Sequence, residues 1–546
     1  MIQAHYQMMT AFFKTRLLSN GWTVIFRHVP MVGHFLLALL VVTGCYAPRA
    51  LDRKVERLVE EKAPVESGIS EEVVADSVQV MQAPELPDAG PVHLDVSRVL
   101  SIATLTSRNL QNRRDDLYQA GLSLFGTRRD FGFNLSGTLG YVFSAGDDRD
   151  EQRTGTADVA LERILPTGGR AVVSGSQQVS EDDGDPSGST VYSSRGQIRV
   201  DQPLLAGFGY SASHEDLIQA ERDYTYALRE FSLERQEFAI NIVREYYNLL
   251  GQRKVLENTR TNYHQFVFLR ERSDALFQVN RAPAIDVLRS QQEELTALNR
   301  LTSTEESYRI QVGRFLVLLG LPSTQEAELA DDIPEMKRVS LDEQKAMDLA
   351  RENRLDLMTE RDRVEDARRR VAVARNQFRP EVNAFGSSDW VSGDAESVSD
   401  QEYANDWRAG VTAEIPFDRR DERDSLRRAE LALDAAERRL AEQTDVTALE
   451  VRESYSRLRS LTVSVEIQLK NIEIAEKRAK NALLQFRNGT LSNRDVVEAA
   501  NGLLDARNAY ISALTDYEVQ RLNLLRQVGL LDVARDGAIV ERIPEG

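Results

Sequence analysis

A seven-residue rhythm that recurs 209 positions later constrains this chain more than any other feature. Leu217, Tyr224 and Phe231 are spaced by seven, and after an eleven-residue step the spacing resumes at Ile242, Leu249, Leu256 and Tyr263. It meets Arg270 and returns to Phe277. The same order reappears at Leu426, Leu433 and Leu440, then Val451, Leu458, Val465, Ile472, Ala479 and Phe486. The offset continues through Asp286 and Asp495, Val287 and Val496, Tyr308 and Tyr517, and Gly320 and Gly529. An unbroken offset over about a hundred residues is the mark of a tandem repeat.

A second block repeats at a different offset. Leu94, Asp95, Ala103, Leu110, Ala120 and Phe131 answer to Leu341, Asp342, Ala350, Leu357, Ala367 and Phe378, each 247 positions on. The first copy therefore holds 38 more residues between its two blocks. Both copies read as helix, β insert, very long helix, tight turn, helix. The long helices are expected over about 211–277 and 420–486, ~100 Å each at ~1.5 Å per residue. Helices near 95–130, 284–319, 341–378 and 493–528 are about half that length. Heptads imply left-handed supercoiling, which the eleven-residue step relaxes. The expectation is a long bundle of paired helices with no compact globular core.

Inside each copy the period changes to two. Phe131, Phe133, Leu135, Leu139, Tyr141 and Phe143 alternate with small or polar residues, as do Trp407, Ala409, Val411, Ala413, Ile415 and Phe417. One apolar, aromatic face over ~10 residues is what a lipid-facing barrel strand requires. Candidate strands are 131–143, 155–165, 170–180 and 191–202 in the first insert, and 380–391 and 406–417 in the second. Four or six strands cannot close a barrel alone, and open edges are not tolerated in lipid. The chain is therefore expected to oligomerise.

The amino terminus indicates export. A short apolar run over 31–44 follows Lys14, Arg16 and Arg27 and ends Val42-Thr43-Gly44-Cys45. It is too short to span a ~30 Å hydrocarbon core and has the layout of a secretory signal. The long stretch before the run points to a true start downstream, at Met8 or Met9. Cys45 is the chain's single cysteine. Residues 46–92 are acidic and contain Ala63-Pro64, Ala83-Pro84 and Leu86-Pro87, which reads as a tether with a short helix at 51–61. The net charge of −18 argues against a nucleic-acid partner. Six scattered histidines give no metal cluster, and there is no GxSxG, no nucleotide-binding loop and no carboxylate pair in a credible cleft. No catalytic residue, metal or cofactor is expected.

Val-Thr-Gly-Cys resembles the bacterial lipobox, in which the cysteine is acylated, palmitate being one such chain, and becomes the new amino terminus. Tyr46 follows it where aspartate would imply inner-membrane retention. Residues 94–530 resemble the TolC-type outer-membrane factors, and the lipobox makes the chain similar to their lipid-anchored, OprM-like members. The stretches that carry the resemblance are Asp201-Gln202-Pro203-Leu204-Leu205-Ala206-Gly207-Phe208-Gly209, Ile415-Pro416-Phe417-Asp418, and the turn from Phe486 through Gly489 and Asp495 to Val497.

The resemblance implies a mainly α fold with a membrane β-barrel: a long antiparallel coiled-coil α-barrel beneath a trimeric transmembrane β-barrel. It implies a homotrimer that docks on a periplasmic adaptor and inner-membrane pump and acts as a passive duct for efflux or type I secretion. It divides the chain into a signal peptide (1–44), a lipid-anchored linker (45–92), a first repeat (93–321, β insert 131–202) and a linker (322–339). A second repeat (340–530, β insert 380–417) and a C-terminal tail (531–546) follow. Asp495 and Glu498 match the place where acidic side chains narrow the family's periplasmic entrance. They lie three apart on one helix face, and three copies would set six carboxylates around the axis, some titrating above the ordinary range. Asp286, beside Arg289, is the first-repeat equivalent. The adaptor-contact tips would be Arg487, Asn488, Gly489, Leu491 and Ser492, with Asn280 and Pro283 in the first turn. There, Asn280-Arg281-Ala282-Pro283 departs from the family's usual glycine. The competing reading is a lipid-tethered coiled-coil scaffold of the envelope with no channel.

Overall fold

The computed structural model describes residues 92–146, 149–182, 190–280, 283–330, 336–339, 341–393, 395, 401–488, 490–534 and 536–542. The expected leader, Cys45, the tether up to residue 91, and Arg281, Ala282 and Gly489 of the turns lie outside these residues.

Two helices dominate: α4, Glu215–Gln278, of 64 residues, and α8, Arg420–Arg487, of 68. Each turns back into a shorter partner, α5 (Ala284–Leu318) and α9 (Asn493–Val528). The heptad residues are the reason they pair. Tyr224, Phe231, Ile242 and Leu249 are buried on α4, and Val451, Leu458, Val465 and Phe486 on α8. Arg270, which interrupts the first stripe, bonds Glu294 on α5 at 2.6 Å and Asp274 at 3.2 Å. Near the sheet, ion pairs supplement the apolar seam: Arg229–Asp362 at 2.7 Å and Arg369–Glu215 at 2.7 Å lock α4 to α7 (Leu355–Gln377).

The half-length helices before the β inserts are not continuous. Instead of one helix over 95–130 there are α1 (Val96–Thr106) and α2 (Arg108–Asp130), separated by an extended Ser107 at φ −66°, ψ 122°. Instead of one over 341–378 there are α6 (Glu343–Asn353) and α7, separated by Arg354 at φ −68°, ψ 120°. The two breaks are 247 positions apart. Each seats on a glycine that ends a returning helix. Gly320 is left-handed at φ 84°, and a Cβ there would stand 2.1 Å from the Thr106 carbonyl oxygen. Gly529 is left-handed at φ 76°, and its Cβ would stand 2.8 Å from Cβ of Asn353. A heptad stripe carries no signal for such a break, because apolar spacing can run straight across one extended residue.

The breaks create a waist, and the expectation of no compact core is wrong there. Ile102, Ile242, Tyr246, Leu316, Val451 and Leu524, from α1, α4, α5, α8 and α9, join one buried cluster. Each fully buried side chain of this size contributes roughly 1.5–3 kcal/mol. Within the expected C-terminal tail (531–546), residues 531–534 and 536–542 are folded. β9 (Leu531–Val533) and β10 (Ile539–Glu541) form a hairpin. Arg521, 2% exposed, reaches Glu518 and Glu541 at 2.7 Å each, and Arg235 donates to the Val533 carbonyl. Burial would lower the Arg521 pKa, but the two carboxylates overcome it and push it up. Across the molecule β1 (Val92–Leu94) pairs in parallel with β6 (Ala327–Leu329), tying the start of the described chain to the segment between its halves.

Six strands form one antiparallel sheet in the order β2-β3-β4-β5-β7-β8. They are β2 Asn134–Gly146, β3 Arg149–Ile164, β4 Arg170–Asp182, β5 Thr190–Pro203, β7 Glu381–Ser392 and β8 Tyr403–Glu414. β5 pairs with β7 through Arg195↔Val391 to Pro203↔Asn383, so the two inserts, far apart in sequence, share one sheet. Beneath it a short helix α3, Tyr210–Ser213, leads into α4 over a buried His214 stacked on Tyr210 at 4.4 Å.

Candidate functional site

Residues directly opposite across a strand pair share a face, so the registers sort the sheet into two surfaces. Leu135 faces Leu161, Leu161 faces Val173 and Val173 faces Ile198. Leu139, Tyr141, Trp407 and Val411 fall on the same surface, with Trp407 77% and Tyr141 68% exposed. Aromatic side chains collect near its two margins: Phe133 beside the helices, and Tyr141, Phe143, Tyr192 and Trp390 toward the far end. Arg163, at the helix-side margin, lies over the Phe133 ring at 4.6 Å. Apolar side chains this exposed on an ordinary soluble surface would be an aggregation hazard; bounded by aromatic margins, they are what lipid requires.

The opposite surface is charged. Glu162, Asp158, Asp201, Asp389 and Asp406 lie on it, together with Arg170, Arg195, Arg199 and Arg408. The charges are largely paired, across strands or, for Arg199 and Asp201, along β5 itself. Arg170 meets Glu162 at 2.6 Å, Arg199 meets Asp201 at 2.7 Å, and Asp389 accepts from Gln197 at 2.7 Å and Arg408 at 3.3 Å. Phe385 lies on this surface across Gly410, where an added Cβ would come within 2.9 Å of the ring.

Among the described residues the sheet does not close on itself. β2 pairs only with β3 and β8 only with β7, so each end of the order keeps a free backbone edge. β2 and β8 run in opposite directions, because every one of the intervening pairings is antiparallel. Among the described residues no helix is long and apolar enough to cross a membrane.

At the far end of the helices the two turns differ. Asn280 is the one non-glycine residue with positive φ among those described, at 57°. Asparagine is among the side chains that tolerate this conformation, so the first turn makes the bend without glycine. Pro283 caps α5, and Asp286 lies 3.5 Å from Arg289. In the second turn Asn488 ends α8, and Ser492 and Asp495 form a reciprocal capping box at the start of α9. Arg487 and Ser492 are exposed and Leu491 is half-buried.

Asp495 is thus occupied locally: it accepts from the Ser492 hydroxyl and from the Ser492 amide at 3.2 Å. These bonds, the Ser492 hydroxyl first, hold its carboxyl below the ordinary range within one chain. Glu498 meets Arg478 of α8 at 2.7 Å. This partner was missed from sequence, although Arg478 and Glu498 are equidistant from Asn488 and a hairpin must bring such positions together. Arg272 was also missed. It stacks over Phe486 at 5.0 Å and donates to the Arg487 carbonyl at 3.1 Å, linking α4 to the second turn.

Residues 346–530 match the family model described as outer membrane efflux protein. Over 349 residues the chain is 24% identical to the outer membrane protein TolC of Vibrio cholerae, a match spanning 60% of this chain and 77% of that relative. Its fold is similar to that of the Campylobacter jejuni CmeC outer membrane channel, with a TM-score of 0.60, 12% identity, and coverage of 82% of this chain and 87% of that one. VceC from Vibrio cholerae gives 0.60 at 14% identity over 80% and 96% of the two chains. The open state of the Neisseria gonorrhoeae MtrE outer membrane channel gives 0.57 at 11% identity over 85% and 96%. Long helical hairpins joined to a two-faced sheet are the architecture that this chain shares with these outer-membrane channels. More particularly, the likeness is to the outer-membrane factors of the TolC type.

Proposed function

We propose that this chain is a passive exit duct built from three copies. Their sheets close one transmembrane β-barrel, and their helices continue it as a hollow coiled-coil tunnel across the periplasm. The observation that carries the reading is the sheet: one apolar face for lipid, one charged face for water, and two free edges of opposite direction. An edge left open in hydrocarbon is costly, because each unsatisfied backbone group loses its hydrogen bond. Joining β8 of one copy to β2 of the next removes both edges and keeps every pairing antiparallel.

The duct is a tandem duplication. Helix breaks 247 positions apart, each seated on a returning-helix glycine, support that view beside the repeated heptads. Cys45 is acylated and anchors the mature chain to the outer membrane through residues 46–92. The turns around Asn280–Pro283 and Arg487–Ser492 contact a periplasmic adaptor, through which an inner-membrane pump delivers substrate. Asp495 and Glu498, with a smaller part for Asp286, set the charge of the tunnel's inner entrance. None of these steps requires catalysis by the chain itself.

Reconstitution tests the reading. The purified protein should form a detergent-stable trimer by light scattering and conduct ions across planar bilayers. A well-folded monomer with no conductance would favour the lipid-tethered scaffold instead.

A further inference from the structure

Among the described residues the β3–β4 hairpin has no counterpart in the second half of the chain: four strands lie between α2 and α3, but two between α7 and α8. We infer that this hairpin is barrel wall, so that three copies close a barrel of eighteen strands around a water-filled lumen, not one of twelve with a hairpin appended to each copy. The inference rests on the trimeric barrel proposed above and adds its width.

Three observations carry it. First, the hydrogen-bonded ladder has no bypass. β3 pairs with β2 from Asn134↔Glu162 to Gly146↔Arg149, and β4 pairs with β5 from Arg170↔Asp201 to Glu181↔Thr190. A hairpin outside the wall would leave β2 against β5, and those strands are not neighbours.

Second, the hairpin has the same two faces as the rest of the sheet. Leu161 and Val173 continue the apolar surface of Leu135 and Ile198, while Asp158 and Ser176 fall on the charged one. A hairpin bathed in water on both sides has no use for exposed Leu161 and Val173. Third, inserting two strands preserves the up-and-down alternation, so β8 still meets the next copy's β2 antiparallel.

Width follows from strand number. Barrels of about eight strands are filled by their own side chains, whereas those of about sixteen to eighteen leave an aqueous channel. The outer segment of this duct therefore contributes no side-chain plug, and hydrated cargo leaves along a charged lining. Any narrowing of the path then belongs to the helical part.

Cysteine accessibility tests this cleanly, because Cys45 is the chain's single cysteine. In a Cys45→Ser background, single replacements Ser174→Cys and Ser176→Cys on the hairpin's charged face are compared with Val173→Cys and Leu161→Cys on its apolar face. Ser136→Cys and Leu135→Cys on β2 are the controls. The full-length protein is reconstituted in phospholipid vesicles and exposed to a membrane-impermeant charged maleimide. In parallel, an environment-sensitive fluorophore at each position is quenched with brominated lipid. The expected result is maleimide labelling at 136, 174 and 176, its loss at 135, 161 and 173, and lipid quenching in the converse pattern. Alternation on β2 with labelling at both 173 and 174 would overturn the hairpin's place in the wall and leave the barrel standing. Loss of alternation on β2 as well would overturn the barrel itself.

Discussion

Asp495 and Glu498 sit close together on α9 but are held differently, and that difference separates charge from fold. Asp495 belongs to the capping box with Ser492, whereas Glu498 is exposed and meets Arg478. Converging carboxylates raise the local negative potential, and a narrow low-dielectric throat focuses it. Replacing both with alanine should reduce cation selectivity and polycation block in planar bilayers. Glu498→Ala alone should do part of this without fraying α9, and Arg478→Ala should do the opposite by freeing Glu498. Asp286→Ala should have a smaller effect, since Arg289 lies beside it. Unchanged selectivity in all of these would return the residues to an ordinary solvated surface. At the other end of the chain, Cys45→Ser should abolish incorporation of labelled fatty acid; equal labelling in mutant and parent would remove the anchor. The sequence pointed to the acidic pair but not to its partners, because Arg478 and Arg272 act across a helix pair whose rotation the heptads leave open.

Among the elements, the waist is where stability concentrates. Arg521 is buried between Glu518 and Glu541, and removing one partner of a buried ion pair typically costs about 3–5 kcal/mol. Arg521→Ala should therefore lower the apparent melting temperature and release the β9–β10 hairpin to proteolysis; an unchanged melting curve and protease pattern would contradict the clamp. The Arg521 hydrogen bond holds the Glu541 carboxyl below its ordinary value. With the folded pKa depressed, its contribution is complete above the unfolded-state pKa of about 4.3 and is lost as pH falls through the folded one. Acidification should loosen the hairpin in wild type and do less in Glu541→Gln. Gly320→Ala and Gly529→Ala should each destabilise by more than the ~1 kcal/mol of a compatible glycine exchange, because φ is positive and the Cβ has no room. Heptad spacing located α4, α5, α8 and α9 to within a few residues, since a long apolar stripe is a strong local signal. It missed Ser107, Arg354 and the waist core, which depend on a glycine far away in sequence. Alternation likewise found β2 and β8, and the four candidate strands named between them fall on β3, β4, β5 and β7. The joining of β5 to β7 had no local signal, because pairing between distant inserts is a property of the folded chain.

At the scale of the whole molecule, β2 and β8 each keep a strand edge that no other described strand of the chain satisfies. The unpaired cysteine-free edges of β2 and β8 make intermolecular disulfides the most direct probe of closure. In the Cys45→Ser background, cysteines introduced singly at 135, 137, 139 and 141 on β2 are combined with one each at 407, 409, 411 and 413 on β8. All eight positions lie on the apolar face. At least one register should give oxidation-dependent covalent dimers and trimers in native outer membranes, with the matching single-cysteine chains remaining monomeric on denaturing gels. If properly inserted, conducting protein yields no intermolecular bond in any register, then β2 of one copy does not meet β8 of the next, and the shared barrel is contradicted.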